Sequence, residues 1–168
     1  GVSMDADMDQ LLTSYRHIDP NAPMTVSLVY AIRELDSSNW VMMSQSGLNS
    51  LYLGRFETTP TVFGASVGSP LILPSVTPFS LGLCVVHTFR YDPVSLKVTH
   101  WVNGIEQGEI DLDTATTFGF PHLGTNDYYR GPGADVSEYL IYEKALDEPQ
   151  RESMEVYLAD KYGIYHPK

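Results

Sequence analysis

Cysteine, tryptophan and basic charge are all scarce in this chain, and each scarcity excludes something. The one cysteine, Cys84, sits in the apolar run Leu83-Cys84-Val85-Val86. It cannot form an internal disulfide and implies no redox compartment; in a strand it reads as a small hydrophobe. With no cysteine pair, and with His17, His87, His100, His122 and His166 dispersed, no zinc-site spacing exists. Ten basic residues against 21 acidic ones leave a net charge of −11. That excludes a phosphate-backbone site, which needs a basic patch to release counterions, so no nucleic-acid partner is expected. It also disfavours anionic lipid. Neutral sugars, cations and basic proteins remain as partners, and an acidic surface also keeps a protein soluble. No apolar run approaches the length of a membrane span, so no membrane insertion is expected, and no leader peptide is visible. A Gly-x-Ser-x-Gly elbow, a His-Glu-x-x-His helix and a phosphate loop are all missing.

What is present reads as strands and turns. The 168 residues suit a single domain, 1–168, and the abrupt start at Gly1-Val2-Ser3 leads us to expect a piece of a larger protein. Residues 4–18 read equally as an edge strand or a helical turn. Met24 to Ile32 alternates, with Met24, Val26, Leu28, Tyr30 and Ile32 on one face and Thr25 and Ser27 on the other. Shorter strands are predicted at 40–44, 50–56, 61–65 and 69–73, separated by glycines and prolines. A long strand at 83–91 and a returning one at 96–102 lead to Asn103-Gly104, a strong hairpin signal. Residues 114–133 read as irregular. Many short strands without βαβ rhythm indicate an all-β sandwich.

The chain closes with a strand at 136–142, a corner at Ala145-Leu146-Asp147, and a helix over about 148–162. Asp147 is a good N-cap, with Pro149 in the first turn and Gln150 placed to complete a capping box. Met154, Tyr157, Leu158 and Tyr162 form the predicted core stripe. Lys161 and Gly163 mark the stop. Such a helix is marginal alone and is expected to cap one end of the sandwich.

The run Val85-Val86-His87-Thr88-Phe89-Arg90-Tyr91, the strand Leu96 to Val102 and the Val102-Asn103-Gly104 turn resemble the laminin-G-like domains of the concanavalin A-like lectin/glucanase superfamily. His122-Leu123-Gly124 looks like a further strand of those domains. The likeness is strongest from Asp135 to Gly163, through Ser137-Glu138-Tyr139-Leu140-Ile141-Tyr142 and Glu155-Val156-Tyr157-Leu158-Ala159-Asp160-Lys161-Tyr162-Gly163. The resemblance implies a concanavalin A-like jelly roll of two antiparallel sheets with one C-terminal α-helix. The function it implies is a non-catalytic carbohydrate-binding or adhesion module of a larger extracellular, cell-surface or virion protein. One alternative is a structural or attachment domain, such as a phage virion decoration or receptor-binding module. Another is a glycoside hydrolase or polysaccharide lyase.

Glu109-Ile110-Asp111-Leu112-Asp113 resembles the acidic signature of retaining glucanases on this fold, whose alternate residues share a face. Here the last position is the shorter Asp, the stretch follows a hairpin directly, and no tryptophan is near to make a sugar subsite. It is therefore read as a decoy and the protein as not an enzyme. The expected site is the loop Asn126-Asp127-Tyr128-Tyr129-Arg130, whose tyrosine faces suit sugar C–H surfaces and whose polar groups suit hydroxyls. Trp40 is expected to line the same edge. By analogy with the superfamily, Ca2+ could bind Asp127 and Asp135, with Asn126 as a further oxygen donor. The partner would be a glycan or cell-surface polysaccharide, and other subunits of a larger assembly are a further expectation.

Overall fold

The nine residues Met24–Ile32 (β3) are all buried, because side chains on both faces of this strand are covered. The computed structural model describes residues 22–33, 80–112 and 134–167 with their side chains. It also gives the backbone of strands Val2–Met4 (β1), Gln10–Leu11 (β2), Trp40–Ser46 (β4), Asn49–Arg55 (β5), Phe63–Val67 (β6), Leu71–Pro74 (β7) and His122–Gly124 (β11). Cys84–Asp92 (β8), Lys97–Val102 (β9), Ile105–Asp111 (β10), Ala134–Tyr142 (β12) and the helix Glu148–Tyr162 (α1) complete the elements. They form two six-stranded antiparallel sheets, ordered β1-β12-β3-β8-β9-β10 and β2-β11-β4-β5-β6-β7. This is the jelly-roll β-sandwich with one C-terminal helix that the strand rhythm predicts.

Alternation divides the first sheet into two faces. Its inner face carries Met24, Val26, Leu28, Tyr30 and Ile32 with Val85, Phe89, Tyr91, Val98, Ile110 and Val136. Its outer face carries Val29 and Val86, which pack with Leu140, Leu146, Met154 and Leu158. The helix therefore lies across the outer face and does not cap an end of the sandwich, as the sequence led us to expect. That face is apolar at its centre, and the helix covers it there. Fully burying Met154 or Leu158 contributes about 1.5–3 kcal/mol each.

The helix ends follow the sequence. The Asp147 carboxylate accepts from the Gln150 N–H at 2.9 Å. Gly163 ends the helix at φ 65°, and the Ile164 N–H reaches the Ala159 carbonyl at 2.9 Å. Two details differ. The Gln150 side chain accepts from Lys144 Nζ at 3.0 Å rather than closing a capping box. The buried stripe is Arg151, Met154, Glu155, Leu158 and Ala159, while Tyr157 is 54% exposed and Tyr162 is half-buried. Tyr157 lies about a third of a turn from the centre of that stripe, and the two charged residues occupy it because they pair with each other.

At the corner before α1, the Thr25 hydroxyl donates to the Lys144 carbonyl at 2.9 Å and accepts from the Leu146 N–H at 3.0 Å. At the other side of the helix, Asn103 and Gly104 take φ 50° and 80°, the left-handed pair a tight hairpin requires. Asn103 Oδ1 accepts from the Val86 N–H at 2.8 Å, fixing the turn to β8. A Cβ on Gly104 would collide with the His166 ring unless that ring moved, and at φ 80° a side chain is strained in any case. Cys84 is half-buried at the start of β8 rather than in the core.

Candidate functional site

Strand ends line up within each sheet. β1 ends at Met4 opposite Ala134, and β2 begins at Gln10 opposite Gly124. β3 ends at Ile32 opposite Ala134, and β4 begins at Trp40 opposite Gly54. β11 ends at Gly124 and β12 begins at Ala134. Of the predicted sugar-binding residues, Asn126, Asp127, Tyr128, Tyr129 and Arg130 lie outside the described residues. Trp40 begins the strand beside β11, because Met42 pairs with Leu123. The backbone therefore places Trp40 beside the end of β11, at one rim of the second sheet.

Asp135 is the second residue of β12, and its carboxylate sits 3.3 Å from Arg33 Nε. A guanidinium already supplies the cationic partner there. Among the described residues no group of three or more His, Cys, Asp or Glu side chains is placed to hold a metal.

The acidic stretch lies elsewhere. Glu109 and Asp111 share the outer face of β10, an edge strand with a bulge between Glu106 and Gly108. Both turn to Lys97 Nζ, at 2.7 and 3.7 Å. The Glu109 hydrogen bond and charge raise the Lys97 pKa. Glu109 and Lys97, with Arg90, Asp92, Ser95, Thr99 and Asp147, line a polar basin of about 310 Å³ to which Asp111 does not contribute. Asp113 lies outside the described residues.

Two polar clusters and one groove were not legible in the sequence. On the inner face His87 and His100, on adjacent strands, meet edge to face at 5.0 Å between ring centroids. His87 Nδ1 is 2.8 Å from the Tyr30 hydroxyl, and Phe89 stacks on His100 at 4.8 Å. Burial lowers both imidazole pKa values, His87 well below its ordinary value and His100 to about 3. Beneath α1, Arg151 pairs with Glu155 and Glu148, and its guanidinium lies 4.6 Å above the Trp101 ring, which Arg90 also covers at 4.9 Å. Burial pushes the Glu155 carboxyl above its ordinary range, against the pull of a Thr88 hydrogen bond and the Arg151 charge.

The groove runs between β12 and α1, measures about 710 Å³, and has Leu140, Leu146 and Met154 among its lining. Glu138, Tyr142, Lys144, Gln150, Ser153 and Tyr157 stand around it. Its only sequence signal is the alternation Glu138, Leu140, Tyr142 on a strand whose neighbours were unknown.

No protein-family profile and no curated protein matches the sequence. Solved structures do match the backbone. A carbohydrate-binding module, the CBM40 of the Ruminococcus gnavus IT-sialidase bound to α2,3 sialyllactose, superposes with a TM-score of 0.62 at 10% identity, covering 88% of this chain and 97% of that one. A heptameric SAP-like pentraxin from Limulus polyphemus matches with a TM-score of 0.57 at 13% identity, over 74% of this chain and 65% of that one. The Trypanosoma rangeli sialidase matches with a TM-score of 0.65 at 14% identity. This chain has the concanavalin A-like fold. The match covers 84% of this chain but only 23% of the sialidase, so that enzyme's length lies mostly outside the shared sandwich.

Proposed function

We propose that this chain is a non-catalytic carbohydrate-binding module, laminin-G-like in type, carried by a larger extracellular, cell-surface or virion protein. The observation that supports this reading is the likeness, over 88% of this chain and 97% of that one, to a sialidase CBM40 bound to α2,3 sialyllactose. The ligand is a glycan, held at the rim by stacking on Tyr128, Tyr129 and Trp40. Asn126, Asp127 and Arg130 take the hydroxyls or a carboxylate. Ca2+ at Asp127 and Asp135 is part of the proposal, and it requires Arg33 to release the Asp135 carboxylate. The engagement of Glu109 and Asp111 by one lysine on an edge strand supports the non-catalytic reading, because a hydrolase needs two carboxylates facing a groove. Weak single-site affinity would be multiplied by display in many copies.

A glycan array tests this, run with calcium and again with a chelator, on the wild type and a Tyr128→Ala/Tyr129→Ala variant of unchanged melting. Binding to one glycan class that the variant loses is the expected result. Silence of the folded wild type under both conditions overturns it.

A further inference from the structure

Beyond the helix stop at Gly163 the chain runs toward the Asn103-Gly104 hairpin, where the His166 ring lies against Gly104. Between residues 162–165 and the start of β8 there is a pocket of about 330 Å³. Leu83, Val85 and Ile164 give it apolar walls, and Tyr162 and Tyr165 give it aromatic ones. Among the described residues of its lining none is charged. The other two cavities differ in this respect. Glu138 and Lys144 stand in the β12–α1 groove, and the basin beside β10 is walled largely by charges. In a chain of net charge −11, an uncharged pocket stands apart.

Its polar groups are few and their positions are set. Asn103 Oδ1 is held by the Val86 N–H at 2.8 Å, which orients the whole amide. Asn103 Nδ2 donates to no described residue and reaches solvent, so a fixed donor is left over. The Tyr162 hydroxyl donates to Glu138 Oε2 at 2.9 Å, and that bond holds its ring as a wall. Ser80 adds an exposed hydroxyl. Tyr165 is 81% exposed and Leu83 61%, so two large apolar side chains border one cavity in contact with water. Exposed apolar residues scattered singly are ordinary, whereas a group of them beside a cavity marks a binding surface.

We propose that this pocket binds one neutral sugar residue, a hexose or N-acetylhexosamine that carries no carboxylate. Tyr165 stacks on the C–H face of the ring, Asn103 Nδ2 donates to a ring hydroxyl, and Ser80 meets a second hydroxyl. Leu83 and Ile164 shield the ring from water. A carboxylated or sulfated sugar finds no cation among the described lining residues, and the net charge of the chain repels it. A volume of about 330 Å³ is near the lower end for small-molecule sites and suits a single ring. The pocket uses none of the residues assigned to the first glycan site, and the two proposals stand or fall separately.

The probes are methyl β-D-galactopyranoside, methyl α-D-mannopyranoside and methyl N-acetyl-β-D-glucosaminide, each titrated into 15N-labelled protein. The readouts are the NMR signals of the Asn103 side-chain amide and the Val86 backbone amide. At least one glycoside should shift them saturably, with a Kd of about 10 mM or below. Asn103→Asp keeps an oxygen for the Val86 N–H and tolerates the left-handed backbone, but it removes the donor. Read at Val86, it should weaken binding by about tenfold with unchanged melting. Tyr165→Ala, at an exposed position, should weaken binding by about fivefold. Binding retained in Tyr128→Ala/Tyr129→Ala supports a separate site; its loss there overturns the proposal by assigning the shifts to residues 125–133. No saturation by any of the three glycosides at about 100 mM also overturns it, as does full binding by Asn103→Asp or by Tyr165→Ala. Cyclohexanol binding as tightly as the best glycoside assigns the pocket to apolar ligands instead, and methyl α-sialoside binding as tightly overturns the preference for a neutral ring.

Discussion

The two faces of the helix-bearing sheet both bury polar groups, and they neutralise them in opposite ways. On the inner face His87 and His100 lie among Tyr30, Phe89 and other apolar side chains, and burial keeps both imidazoles uncharged by lowering their pKa values. On the outer face Arg151 and Glu155 are 2% and 0% exposed, and a guanidinium that stays protonated is matched by carboxylates and an aromatic face. A group that can shed its charge survives burial alone. One that cannot must bring its partner with it.

Breaking the outer pair should give the largest effect. Arg151→Met removes the cation and leaves Glu155 buried beside His166, so the variant should lose about 3–5 kcal/mol in urea denaturation. The Arg151→Met/Glu155→Leu double variant should recover most of that loss, because it removes both charges and keeps the volume. A double variant as unstable as the single one would mean that Arg151 acts through its packing on Trp101 and not through charge.

The fold was legible because local signals agreed with one another. Alternation in Met24–Ile32, the Asn103-Gly104 hairpin and the Asp147 and Gly163 caps each stand where the sequence put them. The docking of α1 was not legible, since periodicity says that a stripe is buried but not what buries it. The stripe itself was misassigned at Tyr157 for a related reason. Reading apolar residues as buried passes over Arg151 and Glu155, whose burial depends on a pairing that hydropathy does not score. The candidate site was read only as chemistry, in Asn126 to Arg130, which lie outside the described residues, with Trp40 expected on the same edge. The registers of β4 and β11 set Trp40 beside the end of β11, and registers follow from long-range pairing that local signals do not carry.

The inner face yields a smaller effect with a defined pH window. The unfolded chain protonates its imidazoles near pH 6.5, well before the folded chain, whose His100 titrates at about 3. Stability should therefore fall as pH drops below about 6.5, by up to about 1.4 kcal/mol per pH unit for each histidine. Glu155 works the other way. Its folded pKa is raised, so its contribution is present at low pH and is lost as pH rises from the unfolded carboxyl value through the folded one. His100→Phe keeps the stack on Phe89 and should roughly halve the slope between about pH 6.5 and 4.5. An unchanged slope would place the acid sensitivity outside the inner face.

The smallest expected effect sharpens the contrast, because it concerns a carboxylate on the same helix that is not buried. Asp147 is exposed and accepts one backbone N–H from Gln150 at 2.9 Å. Asp147→Ala leaves no charge stranded, and water can satisfy the freed amide, so the cost is that of an N-cap, about 1 kcal/mol. Asn at this position should recover most of the loss, since a neutral oxygen caps nearly as well. If Asp147→Ala instead costs as much as Arg151→Met, then α1 is held chiefly by its first turn, and the Arg151–Glu155 pair is a passenger on a helix already docked by Leu146, Met154 and Leu158. A cost near 1 kcal/mol, additive with that of Arg151→Met, identifies burial of the pair as what makes its loss expensive.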